Sequence, residues 1–182
     1  MKTQTNPSAR DRILTTAHDL FYQQGIRATG IDKIIAQSQV AKVTFYRHFP
    51  SKNDLVLTFL EYRHQLWIGW FKQALERHGN TIQALVPTLS EWFNSKEYRG
   101  CAFLNSVGEL ADELAEVKQI TRNHKQDMMD AVSDLLPSSA DNDEFLNVLH
   151  IAIEGAIIRA QYDSSPSQAL KGLNSLIDTG FK

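Results

Sequence analysis

Apolar residues recur along this chain at helical spacing, and no useful stretch alternates with the period of two that a half-buried strand requires. Ile13, Ala17, Leu20 and Phe21 form one stripe of a first helix that Ser8 can cap and Gly25 can end after Gln24. Thr29 or Gly30 precedes a short second helix with Ile31, Ile34 and Ile35 on one face, and the polar pair Ser38-Gln39 follows as a turn. A third short helix places Phe45 and Phe49 four residues apart and stops before Pro50.

Beyond Pro50-Ser51-Lys52 the pattern lengthens. A helix of about Asn53 to Arg77 is expected, then helices over Thr81–Phe93, Cys101–Ala111, Glu116–Leu136, Asp143–Tyr162 and Ser167–Phe181. The fold class is therefore all-α: a three-helix head, residues 1–52, followed by a helical bundle, residues 53–182.

Charge changes what this division means. Up to Lys52 the chain carries eight Lys and Arg against three Asp, a net +5, which leaves −7 for the remainder of a chain whose total is −2. A basic head on an acidic body suits a polyanion at the head and not at the body. A single cysteine, Cys101, excludes an intrachain disulfide and a cysteine-rich zinc site. No apolar run along the chain is long enough to cross a membrane, and Met1–Arg12 lacks the apolar centre of a signal peptide, so a cytoplasmic protein with no membrane partner is expected.

Two short helices separated by a tight turn, the second rich in Lys, Arg, Thr, Tyr and His, meet the geometric need of a helix-turn-helix whose second helix enters the major groove. The residue order is more specific. Ile13–Gly25 reads ILTTAHDLFYQQG, and RATGIDKIIAQSQVAKVTFYRHFPSKNDL follows, with Thr44-Phe-Tyr-Arg-His-Phe-Pro-Ser-Lys52 its most distinctive run. Over roughly residues 9–55 this resembles the tetracycline-repressor (TetR) family of bacterial regulators. Two positions depart from the family pattern: Gln39 stands where a turn glycine is common, and Ala41 where a serine often caps the recognition helix.

The resemblance implies a ligand-responsive repressor that binds double-stranded operator DNA, palindromic in sequence, as a homodimer. It assigns Tyr46 and Lys52 to phosphates, with Thr29 at the second helix's N-terminus, where a phosphate can also be held. The chemistry agrees, because a phenol, an ammonium and helix-terminal N–H groups all donate to phosphate without reading sequence. Base reading falls to Lys42, Val43, Thr44, Arg47 and His48, the positions expected to face outward. Lys42 or Arg47 can donate to guanine, and Val43 or the Thr44 methyl can touch a thymine methyl.

In the body, Trp67, Trp70, Phe71, Trp92, Phe93 and Phe103 concentrate aromatic surface, and Asn105, His124 and Met128 can add polar and adaptable lining. Together they are expected to wall a pocket for a small hydrophobic or aromatic effector. The apolar stripe of the penultimate helix, with Phe145, Leu149, Ile153 and Ile157, and that of the last, with Leu173, Leu176 and Ile177, are expected to form a two-fold dimer interface. His150 and Glu154 make one helical pair without a second pair or an HExxH motif, so no metal and no cofactor is expected. Phosphate loops, nucleophile elbows and Walker motifs are also missing, so no enzyme is expected; a helical enzyme of unknown substrate and a helical adaptor are the alternatives to a regulator.

Overall fold

The computed structural model describes residues 7–137 and 142–180, and all of its regular structure there is helical. Among the described residues nine α-helices follow one another: α1 Ala9–Gln24, α2 Ile31–Ser38, α3 Lys42–His48, α4 Lys52–Arg77, α5 Leu85–Phe93, α6 Ala102–Leu110, α7 Glu116–Ser133, α8 Asn142–Tyr162 and α9 Ser167–Gly180. A 3-10 turn, Ile82–Ala84, leads into α5. The helix expected over Thr81–Phe93 thus begins as 3-10, and that expected to reach Leu136 ends at Ser133. Phe181 lies outside the described residues.

The helix starts are chemically legible. Ser8 and Asp11 close a capping box on α1, each satisfying a backbone N–H at the other's end. Ser51 and Asp54 repeat it on α4: the Ser51 N–H donates to Asp54 Oδ2 at 3.0 Å and the Asp54 N–H to Ser51 Oγ at 3.1 Å. Gly25 ends α1 at φ +88°, ψ 154°, a conformation reserved almost wholly for glycine.

The chain packs as two compact units. One comprises the described residues up to His64 together with Ala102–Thr121. Its core collects Ile13, Ala17 and Phe21 of α1, Ile34 of α2, Phe45 and Phe49 at α3, and Leu55, Val56 and Phe59 of α4, all buried. The second comprises Gln65–Cys101 and the described residues from Arg122 onward. Buried there are Phe71 of α4, Leu85 and Leu89 of α5, Met128 and Val132 of α7, Ile153 and Ile157 of α8, and Leu173 and Ile177 of α9. Helix α4 contributes its first half to one unit and its second half to the other. No helix among the described residues is long and apolar enough to cross a membrane.

Candidate functional site

Helix α3 has only seven residues, far below the length at which a helix persists alone. It is held by its apolar side: Phe45 is fully buried and Phe49, its C-cap, is 2% exposed. Pinning these two rings turns the opposite face outward. Among the described residues Val43 is the most exposed of the large apolar side chains at 77%, Tyr46 is 40% exposed, and Lys42 and Arg47 are exposed beside them. Thr44 and His48 are half-buried at the edge of this face. Lys42 approaches Asp32 at 3.4 Å, but both side chains are so exposed that the pair leaves the ammonium available.

The turn before α3 is tight. Gln39 adopts the left-handed conformation, φ 55° and ψ 44°, that a glycine would adopt without strain, and Ala41 occupies the N-cap without a side-chain hydrogen bond. Arg12 of α1 braces this turn by donating through Nε to the Ser38 carbonyl at 3.2 Å. Arg10 lies over the Phe49 ring, 5.3 Å from its centroid.

Thr29 is not placed to touch DNA with its side chain. It is fully buried, its hydroxyl donates to the Gly25 carbonyl at 2.8 Å, and its backbone N–H donates to Ile26 O. The residue at the N-cap of α2 is Gly30, which is exposed. The hydroxyl of Thr29 is used to stabilise the α1–α2 loop because that loop leaves the Gly25 carbonyl without a helical partner.

Lys52 also points into the loop. Its ammonium donates to the Ile26 carbonyl at 2.6 Å. Burial pushes this lysine below its usual range, and the Glu109 carboxylate nearby works in the opposite direction. Glu109, on α6, accepts from the Ile26 N–H at 3.1 Å through Oε1 and from the Arg27 N–H at 2.7 Å through Oε2. Glu113 pairs with the Arg27 guanidinium at 2.6 Å. Neither carboxylate is marked by any local motif, since each partner lies more than eighty residues away.

In the second unit the expected aromatic residues do meet. Trp67 stacks on Phe71 at 4.7 Å between centroids, lies edge-on to Trp92 at 5.2 Å and to His124 at 5.1 Å, and has Trp70 at 6.1 Å. Trp92 contacts Phe93, and both contact Tyr98, a member that sequence reading did not include. Tyr98 is anchored by donating to the Ile157 carbonyl at 2.6 Å. Met128 is buried in the same unit, whereas Phe103, buried, and Asn105, exposed, belong to the first. Within this packing the indole N–H of Trp67 and the hydroxyl of Thr88 are buried with no hydrogen-bond partner. An unpaired buried donor typically costs about 1–3 kcal/mol, so each marks a place where an acceptor would be welcome. Two open grooves of the same unit, of about 200 Å³ and 380 Å³, include none of these rings in their walls.

The surface of α8 differs from expectation. Leu149, Ile153 and Ile157 are fully buried inside the subunit, and Leu173 and Ile177 of α9 are buried with them; Phe145 and Leu176 are half-buried. The exposed apolar side chains of α8 are instead Val148, Ile151, Ile158 and Tyr162, between 43% and 69% exposed. With Gly155 they fall at intervals of three, four, three and four residues, a single straight seam. His150 Nε2 and Glu154 Oε1 are 3.6 Å apart, and Lys125 Nζ pairs with the same oxygen at 2.7 Å. Among the described residues no group of three or more His, Cys, Asp or Glu could hold a metal ion.

Residues 13–58 match the family described as bacterial regulatory proteins, tetR family. Curated relatives include an HTH-type transcriptional regulator of Bacillus subtilis, 29% identical over 63% of this chain and 60% of that one. Another is the HTH-type transcriptional activator FasR of Mycolicibacterium smegmatis, 30% identical over 70% of this chain and 58% of the relative. The matches thus span about three fifths of these relatives' lengths. A solved TetR-family regulator from Streptomyces coelicolor superposes with a TM-score of 0.82 at 29% identity, covering 94% of this chain and 93% of its own.

Proposed function

We propose, from its place in the TetR family of DNA-binding transcriptional regulators, that the chain is a cytoplasmic repressor, dimeric on a palindromic operator and released by a small aromatic effector. The observation that carries the reading is the outward face of α3. A helix too short to persist alone is fixed by two buried phenylalanines so that Lys42, Val43, Tyr46 and Arg47 face solvent on a head of net charge +5. Lys42 and Arg47 supply donors for guanine edges, Val43 an apolar contact for a thymine methyl, and Tyr46 a phenol for phosphate.

Dimerisation supplies the second recognition helix. We assign the two-fold contact to the exposed seam of α8, Val148, Ile151, Ile158 and Tyr162, and not to the stripe already used inside the subunit. Gly155 at the centre of the seam lets two such helices approach closely. Protein symmetry then requires operator symmetry.

The effector site is assigned to the rings of Trp67, Trp70, Phe71, Trp92, Phe93 and Tyr98. Their flat apolar surface favours a planar aromatic molecule, and the unpaired Trp67 N–H favours one bearing a hydrogen-bond acceptor. Three of these residues sit on α4, the helix that also enters the DNA-binding head.

The test is selection of duplexes from a random pool followed by gel shift at rising salt. A recovered palindrome whose binding weakens log-linearly with salt, as counterion release requires, is expected. Equal binding to every duplex at all salt concentrations would refute sequence-specific regulation.

A further inference from the structure

The α1–α2 loop is built like an anion site, and an acidic side chain of the same chain fills it. Gly25 at φ +88° turns the backbone so that the N–H groups of Ile26 and Arg27 point the same way, and no helix or turn supplies them with acceptors. Both donate to the single carboxylate of Glu109, at 3.1 and 2.7 Å. A Cβ on Gly25 would come within 3.2 Å of that carboxylate and press it by a few tenths of an ångström, while φ +88° is itself a conformation that favours glycine. Beside it, Lys52 is drawn inward onto the Ile26 carbonyl, and Glu113 holds the Arg27 guanidinium. Glu109 thus engages two N–H groups and Glu113 one guanidinium, with the Lys52 ammonium bonded to a carbonyl of the same loop; together these are donors of the kind a phosphate diester attracts.

We propose that Glu109 is an intramolecular competitor of the DNA backbone, holding the Lys52 ammonium within the loop so that the seating of α6 decides whether this lysine is offered to a phosphate. The inference rests on the reading of the head as a DNA-binding unit. It explains why a half-buried lysine at a position suited to phosphate has its ammonium bonded within the loop: the carbonyl gives it a partner, and the carboxylate offsets part of the burial that disfavours its charge. On this account Lys52 has two alternative partners, and Glu109 sets the balance between them.

The experiment is fluorescence anisotropy of the full chain on a short duplex of arbitrary sequence at rising salt, comparing wild type, E109Q, K52A and the double variant. Glutamine keeps the length but removes the charge and can accept fully from only one of the two N–H groups. E109Q is expected to bind roughly tenfold tighter, the scale of one charged hydrogen bond, with a salt slope steeper by about 0.9, the value for one added phosphate contact. The gain is expected to vanish when K52A is present, a coupling that a double-mutant cycle isolates. E113Q, which removes a neighbouring charge without touching Lys52, is expected to gain little. Weaker binding by E109Q, an unchanged slope, or an equal gain with and without Lys52 would overturn the proposal. If E109Q does not fold, E109D decides: its carboxylate is drawn back by one methylene, and a smaller gain that still depends on Lys52 supports the competition, whereas no gain refutes it. A wild-type protein that binds no duplex at any salt would refute the DNA-binding premise itself, a result distinct from these.

Discussion

Ala41 and Gln39 show how single residues leave the recognition helix less stable than its geometry allows. Ala41 sits at the N-cap of α3 without a side-chain oxygen, so a first-turn N–H lacks the acceptor that serine would supply. Ala41→Ser is expected to raise global stability by about 1 kcal/mol. Gln39 holds the left-handed conformation, which costs a non-glycine residue about 1–2 kcal/mol. Gln39→Gly removes that strain but lets the unfolded chain gain about 0.4–1 kcal/mol of entropy. The difference favours glycine, so a net gain of about 0.5–1 kcal/mol is expected. Urea unfolding of each variant checks both, and a loss of stability in Gln39→Gly would show that the glutamine side chain contributes more than its strain costs. Gly25 behaves in the opposite way. Gly25→Ala forces a Cβ into a glycine-only conformation and to within 3.2 Å of the Glu109 carboxylate. A loss of about 2 kcal/mol or more is expected, since backbone strain of this kind alone costs about 1–3 kcal/mol. An alanine variant as stable as wild type would mean that the loop re-forms without the carboxylate.

At the scale of elements, the helices were legible because each has a start signal and a period. Ser8, Ser51 and Gly25 mark boundaries through hydrogen bonds made within a few residues, and the structure ends α1 at Gln24 where the glycine does. The recognition helix was legible for the same reason, its two phenylalanines falling on one face. Which face of α8 is the core was not legible. Leu149, Ile153 and Ile157 form one stripe and Val148, Ile151, Ile158 and Tyr162 another, so the helix is apolar on two sides and periodicity cannot rank them. Packing of α9 against α8 and α5 decides it, a matter of long-range contact. The loop partners of Thr29 and Lys52 were not legible for a related reason: the hydrogen bonds to Gly25 O and Ile26 O depend on how the α1–α2 loop folds, which no periodic pattern reports. The two faces of α8 predict opposite failures. Ile151→Glu with Ile158→Glu is expected to give folded monomers with much weaker operator binding, measured by sedimentation and far-UV dichroism. Ile153→Glu buries a lone carboxylate in the core and is expected to unfold the subunit. Folded dimers from the first variant would place the two-fold contact elsewhere.

For the whole molecule, the question is how an effector among aromatic rings can change DNA affinity. Helix α4 has 26 residues, a rod about 39 Å long at 1.5 Å per residue. Its first half carries Leu55, Val56 and Phe59 into the core of the DNA-binding unit, and its second half carries Trp67, Trp70 and Phe71 into the ring cluster. A packed core has discrete arrangements and does not deform continuously, so a molecule inserted where Trp67 of α4 meets Trp92 of α5 must move one of these helices. If that helix is α4, the two heads of a dimer change their separation, and the operator no longer fits. Thermodynamics then makes the effect reciprocal: whatever factor the effector takes from operator affinity, the operator takes from effector affinity, typically 5–150-fold, or about 1–3 kcal/mol. All three tryptophans of the chain belong to the cluster, so indole fluorescence reads occupancy directly. Planar aromatic compounds bearing an acceptor are expected to quench or shift this emission, and Trp67→Phe, which removes the unpaired N–H but keeps a ring, is expected to weaken them. The titration that decides the mechanism follows the strongest such compound with and without operator DNA. An affinity lower by the factor above when operator is present is the expected result. Equal affinity in the two titrations would rule out release through α4 even where the compound binds among the rings.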